Sequence, residues 1–374
     1  MSSHRFTYIV RSILVATGTL DVARKIRSKL GRQLSRKAEK LIENDPEYLA
    51  RVAAEISTFE NDEVVHDLPS IFHYWSNKYL LPTIQTFGFA HPDDFFIKQL
   101  VKVIDTDPAE RVVFISIGAG NCDTELRVAQ GLIALGYDNF SIECLDLNPT
   151  MLARGRDLAR EHGMERHIIP VEGDFNKWKA ARPYHAVLAN QSLHHVLQLE
   201  YLFDAIFDAI KPVNGVLITS DMIGRNGHRR WPEALSIVEE YWSELPSKYK
   251  YNHQLKRQED VFVNWDCATD GFEGIRAQDI MPLLSERFHF DLFVPFANVI
   301  TPFIDRGFGH NFDVRSQFDL LFIDRVHSRD ESEIRAGRIG PTQMFAVLSA
   351  DWTRPTQCIE GLSPEFCTRK VDSS

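Results

Sequence analysis

The residues best suited to chemistry begin at a glycine turn, Gly118-Ala119-Gly120, directly after an apolar run at Val112–Ile117. Glycines in that place let a ligand approach backbone N–H groups, and the helix start that follows favours electron-rich groups. Alone, the same turn also serves as a plain strand-to-helix connection. Asp146 closes a second apolar run roughly two dozen residues further on, where a carboxylate accepts both hydroxyl hydrogens of a ribose or caps a helix. His194-His195 end a fourth run, while Asp221 and His228 follow a fifth. Histidine titrates near neutrality, so His194, His195 and His228 are candidate proton acceptors, as is Asp221. Either of the paired histidines also serves as a loop anchor or ligand contact.

Further candidates surround these. Arg229, with Arg225 and Arg230, lies in a loop that suits a carboxylate or phosphate on a substrate, or simply a solvated surface. Residues 264–276 mix Trp265 and Phe272 with Asp266, Glu273 and Arg276, as a lid or substrate wall would, or a buried structural segment. Trp75 and Tyr79 belong to an aromatic run at 72–79 that closes a pocket or packs as core. Asp221 and Asn190 alone make no specific metal-ligand set, and no metal is expected.

The elements that must position these residues read as alternating strands and helices. Strands are expected at Val112–Ile117, 141–145, 168–171, 186–189 and 216–219, with amphipathic helices between them. Asn148-Pro149 is a capping residue followed by proline, a sound helix start. Such alternation implies βαβ units and a parallel sheet. We expect an α/β fold: a Rossmann-like, mostly parallel twisted sheet with helices on both faces. A helical N-terminal extension covers residues 1–108, the sheet domain 109–326 with a lid-like insertion at 226–285, and a C-terminal tail 327–374. Residues 288–294 and 318–323 read as two late strands.

In this frame the run Val113 to Asp123 resembles the first motif of the class I (Rossmann-like, seven-stranded) S-adenosylmethionine-dependent methyltransferases. Asp146-Leu147-Asn148 is similar to that family's ribose-binding segment, and Gly173-Asp174-Phe175 resembles its third motif. Asn190-Gln191-Ser192-Leu193-His194-His195 resembles the fourth-strand signature of many small-molecule members. Lys211-Pro212 through Gly215 resembles the turn before the fifth strand. The resemblance implies S-adenosylmethionine as cofactor, with contacts from Gly118, Ala119, Gly120, Leu147 and Asn190. It also implies that Asp174 meets the adenine amino group and Phe175 packs on the ring. Two positions depart from the pattern: Ser116 stands where the family has an acid, and Cys122 where it has a third glycine. The acid helps hold the cofactor's amino end, and Asp123 is one nearby substitute. The expected activity is methyl transfer to oxygen or nitrogen of a small-molecule or glycan-like acceptor, with Trp75, Tyr79, His228, Arg229 and Arg276 as acceptor contacts. The alternatives are a non-catalytic Rossmann-like binding module and a nicotinamide-dependent oxidoreductase; the latter's G-x-G-x-x-G pattern is absent.

Composition narrows the classes further. The 374 residues carry a net charge of −10, a poor match to nucleic-acid backbone. Residues 1–40 nevertheless hold ten Lys/Arg against two acids, a balance of +8 that leaves −18 for the rest. This leader is a peripheral arm for anionic lipid or a partner, or a solvated helical extension. The apolar stretch at 7–20 is interrupted by Arg11 and too short to span a bilayer. Five scattered cysteines without a C-x-x-C pair argue against a disulfide framework or thiolate zinc site, and fit a reducing cytoplasm.

Overall fold

The computed structural model describes residues 45–60, 68–106 and 111–369, with the side chain of Glu60 aside. The basic leader at 1–40 and the boundary near residue 108 lie outside the described residues. The N-terminal extension is helical where it is described: α1 (Pro46–Glu60), α2 (Ser70–Trp75), a π-helical turn (Ser76–Leu80), α3 (Leu81–Thr86) and α4 (Pro92–Ile104).

The alternating pattern then begins with β1 (Val112–Ile117), α5 (Asp123–Ala134), β2 (Phe140–Asp146), α6 (Pro149–Glu161) and β3 (Ile168–Glu172). It continues with β4 (Ala186–Asn190), α7 (Leu199–Ile210) and β5 (Val216–Met222). The lid-like insertion holds α8 (Pro232–Glu244) and a small hairpin, β6 (Tyr251–Asn252) with β7 (Arg257–Gln258). Then come α9 (Ala277–Arg287), β8 (His289–Phe296), the short α10 (Thr301–Ile304), α11 (Gln317–Arg335), β9 (Gln343–Ser349), β10 (Gln357–Cys358) and α12 (Pro364–Cys367).

One eight-stranded sheet runs β10-β8-β9-β5-β4-β1-β2-β3. All its pairings are parallel except those of β9, which is antiparallel to both β5 and β8. Side chains along a strand alternate between faces, and the core divides accordingly. Val112 and Phe114 pack on one side with Leu126, Leu132 and Phe96 from α5 and α4. Ile115 and Ile117 pack on the other with Leu202, Ile206 and Leu284 from α7 and α9. Helices therefore cover both faces, as a parallel sheet requires. Among the described residues no helix is long and apolar enough to cross a membrane.

Two expectations are corrected at the C-terminal end. Residues 318–323 are not a strand but part of α11, started by Ser316, whose hydroxyl accepts the Asp319 N–H at 3.3 Å. The described part of the segment 327–374, residues 327–369, is more than a tail: it supplies β9, whose buried apolar residues Met344–Leu348 fill the gap between β5 and β8.

Candidate active site

In an open α/β sheet, ligands bind beyond the carboxyl ends of the strands where the strand order reverses. Here that point lies between β1 and β4, and a cleft opens there. Its floor is the glycine turn. Gly118 has φ +70°, and a Cβ on it would lie 2.6 Å from Ser192 Cβ, so the turn after β1 fits under the loop after β4 only as glycine. Asp146 ends β2 and accepts the N–H groups of Gly120 and Asn148, one on each oxygen, both at 2.8 Å. Burial raises its carboxyl above the usual range, while those two N–H groups act against the rise. Asn148 starts α6 as expected, its side chain accepting the N–H groups of Thr150 and Met151.

Gly118, Ala119, Gly120, Asp123, Asp146 and Leu147 all line this cleft. Phe175, Asn190, His194 and His195 do so as well. Asp174 does not. One of its oxygens caps the turn at Asn176, and the other accepts the Tyr48 hydroxyl from α1 at 2.6 Å. In this structure the Asp174 carboxylate faces α1 and its own turn, and its neighbour Phe175 is the residue of that motif that lines the cleft.

An acid does return to the place left by Ser116. The Ser116 hydroxyl donates to Glu125 Oε1 at 2.6 Å, and Glu125 rises from the first turn of α5 onto the cleft wall. Burial pushes its carboxyl up to about 7, against the pull of the Ser116 hydrogen bond. Glu125 Oε2, Asn121 Oδ1 and Ser192 Oγ are buried without a hydrogen-bond partner, and all three residues line the cleft. Buried polar atoms in native proteins nearly always find partners, so three orphans on one wall mark where a polar ligand fits. Cys122 is buried beside Gly155, where it fills space between α5 and α6.

The opposite wall is a cluster of histidines and carboxylates. Asp221, fully buried at the end of β5, accepts the backbone N–H groups of Ser192, Leu193, His194 and Met222 and lies 2.7 Å from His194 Nδ1. Asp221 is thus no candidate base: every face of its carboxylate is occupied, and it positions His194. Glu55, from α1, holds His195 Nδ1 at 2.6 Å and accepts the Phe272 N–H. Glu273, from the insertion, faces three rings, with 2.5 Å to His228 Nε2, 3.4 Å to His194 Nε2 and 3.3 Å to His195 Nε2. Burial disfavours charge on His194, yet Asp221 and Glu273 outweigh it and raise the ring to about 10. Burial also opposes the charge on Glu273, but the surrounding histidines hold it well below the usual carboxylate range. Two backbones lock this arrangement: Gly227 N donates to Gly274 O at 2.8 Å, and a Cβ on Gly274 would meet His228 at 3.0 Å.

The remaining expected contacts lie elsewhere. Trp75 and Tyr79 pack on α11, Trp75 Nε1 3.2 Å from His327 Nδ1 and Tyr79 stacked on the His327 ring at 3.7 Å. Arg229 pairs with Asp266, and Arg276 with Glu200 and Asp279. None of these four lines the cleft, because each is drawn to a partner that local sequence does not reveal. His228 reaches the cluster through Glu273. Glu55, Phe59, Glu125, Met151 and Arg306 line the cleft without having been singled out as contacts, and Glu273 does so from the segment read as a lid or substrate wall. Only Glu125, an acid in the first turn of the helix after the glycines, carried a local signal.

No protein-family model matches the chain, and no curated protein matches it. Solved structures do resemble it. A protein described as a putative sarcosine dimethylglycine methyltransferase from Galdieria sulphuraria matches 71% of this chain and 86% of its own at 14% identity, with a TM-score of 0.40. A geranyl diphosphate methyltransferase in complex with GPP and sinefungin matches 69% and 76% at 10% identity, TM-score 0.37. The [4+2]-cyclase SpnF matches 70% and 82% at 15% identity, TM-score 0.36. In this chain the sheet itself is Rossmann-like, with the glycine turn at its point of strand reversal, Asp146 beside it and one antiparallel strand, β9. The fold is a Rossmann-like α/β sheet with a ligand cleft at the point of strand reversal. Two elements outside the alternating strands and helices also reach the cleft, α1 through Glu55 and the insertion through Glu273.

Proposed function

We propose that the chain is an S-adenosylmethionine-dependent methyltransferase acting on oxygen or nitrogen of a small-molecule or glycan-like acceptor. The observation that carries this reading is a single cleft with two unlike walls: a ribose acid, glycine turn and orphaned polar atoms on one, a histidine–carboxylate cluster on the other.

Adenosylmethionine, when bound, supplies a methyl group on a positively charged sulfur that is its own leaving group. The chain's part is to hold, align and exclude. A carboxylate has about four lone-pair positions, and backbone N–H groups use two on Asp146, leaving two for the ribose hydroxyls. Phe175, Leu147 and Met151 offer the apolar surface an adenine ring needs. Glu125, with Asn121 and Ser192, takes the ammonium end, the part for which Asp123 was the nearer candidate in sequence. His194, His195 and Glu273 face the acceptor, the two rings held by Asp221 and Glu55. A positioned acceptor needs little more, since alignment supplies much of the rate in such displacements.

Isothermal calorimetry on the full chain tests the reading. Adenosylmethionine and adenosylhomocysteine are expected to bind in the micromolar range, and NAD(H) to give no heat. A folded sample silent to adenosylhomocysteine at high micromolar concentration would remove the enzyme reading; heat with NAD(H) alone would favour the oxidoreductase.

The Glu125 assignment makes a pH prediction. Its carboxyl is raised to about 7 by burial in the free protein, and a cationic ammonium beside it favours the ionised form. Binding then expels a proton at acidic pH. The affinity for adenosylhomocysteine should climb by up to about tenfold per pH unit toward pH 7 and level off above it. In Glu125→Gln this slope should flatten, whereas Asp123→Asn should keep it. An unchanged slope in Glu125→Gln would show that another group takes the amino end.

A further inference from the structure

The histidine–carboxylate wall is built beyond what holding an acceptor proton requires. His194 and His195, adjacent in the 3-10 turn after β4, have ring centroids 4.3 Å apart. Each ring has a carboxylate on its Nδ1, Asp221 for His194 and Glu55 for His195. A carboxylate there fixes the ring's orientation and leaves Nε2 turned toward the cleft, as in metal-ligating imidazoles. Both Nε2 atoms point at one carboxylate, Glu273, at 3.4 and 3.3 Å. One ligand atom from each of these three residues lies within 4.8 Å of the other two.

We propose that His194, His195 and Glu273 form a binding site for a divalent first-row transition-metal ion. Donor chemistry selects the class: two imidazoles with one carboxylate suit zinc, cobalt or iron, whereas magnesium and calcium take oxygen sets. Spacing agrees. Ligand bonds of about 2.0–2.1 Å in tetrahedral geometry place the ligand atoms roughly 3.3 Å apart; each Nε2 stands 3.3–3.4 Å from one oxygen of Glu273, and the three ligand atoms lie within 4.8 Å of one another. His228 is nearer to Glu273 than a fellow ligand stands, so it serves as the hydrogen-bond partner that orients this carboxylate. Three protein ligands leave a position open, and all three residues line the cleft, so the open position faces the acceptor. The site is independent of the methyl-transfer reading. Its use rests on that reading: the ion, when bound, would bring the pKa of an acceptor hydroxyl down toward neutrality.

The test uses the untagged full-length protein, stripped with a chelator and titrated with Co²⁺. The expected result is a visible ligand-field spectrum saturating at one ion per chain and displaced by Zn²⁺. Glu273→Gln and His195→Gln, each checked for a cooperative melting transition, should abolish it. Glu55→Gln, which alters only the orienting partner, should weaken Co²⁺ affinity by about 10–100-fold. Wild-type protein that gives no spectrum, or a spectrum that survives both ligand substitutions, would overturn the site and leave a hydrogen-bonded histidine cluster only. Adenosylhomocysteine calorimetry on the same samples separates the two readings. Cobalt binding without cofactor binding keeps the metal site and removes methyl transfer, and the converse result does the opposite.

Discussion

Asp221→Ala is expected to destabilise the folded chain by on the order of 3–5 kcal/mol. The carboxylate is fully buried and accepts four backbone N–H groups besides holding His194 Nδ1. Truncation leaves those donors in the interior without acceptors, and each such orphan costs about 1–3 kcal/mol before relaxation. Asp221→Asn preserves the shape but turns an NH₂ toward two of the donors, so a loss of about 2 kcal/mol or more is expected even there. Urea unfolding in metal-free buffer measures both variants through the midpoint at constant slope. A change within about 1 kcal/mol for the alanine variant would mean that the turn after β4 holds its shape by other means.

Asp146→Ala is expected to weaken adenosylhomocysteine binding by about 1–3 kcal/mol, the worth of charge-assisted hydrogen bonds to a ribose. Two effects contribute and can be separated. The side chain ties Gly120 to the start of α6, so its loss also loosens the glycine turn. Asp146→Asn retains one acceptor oxygen for the turn but lacks the charge, and should fall between wild type and alanine. Calorimetry at pH 8, above the titration of Glu125, keeps the proton linkage of Glu125 out of the comparison. Equal affinity in all three proteins would place the ribose somewhere other than β2.

The strands that carry the cofactor wall were legible because their signals are local. An apolar run, a glycine turn and an acid at the next strand end identify β1, β2 and the crevice between β1 and β4. Asn148-Pro149 marked the start of α6. What escaped the sequence depends on residues far apart in the chain. Glu55 and Glu273 flank the same histidines from positions more than two hundred residues apart, and no periodicity links them. Asp174 fits a motif, yet Tyr48 claims its carboxylate, while Arg276 is taken by Glu200. The apolar run at 318–323 is ambiguous between strand and helix on its own; the cap at Ser316 with Asp319 three residues on resolves it toward helix. Residues 343–349 were passed over because an antiparallel strand in a parallel sheet breaks the βαβ rhythm that revealed the others.

That strand also governs how the chain reaches its fold. β9 pairs with β5 on one side and β8 on the other, yet it is made after both. On the ribosome, β5 waits with an unpaired edge while more than a hundred residues are added, and β8 has no place in the sheet until residue 349 has emerged. Open, apolar edges of this kind recruit other strands, and late long-range pairing slows folding. The nascent protein therefore passes through a stage with three of its eight strands still to be added, when shielding by chaperones counts most. Sequence near the C-terminal end thus sets the moment at which the N-terminal half becomes safe from aggregation.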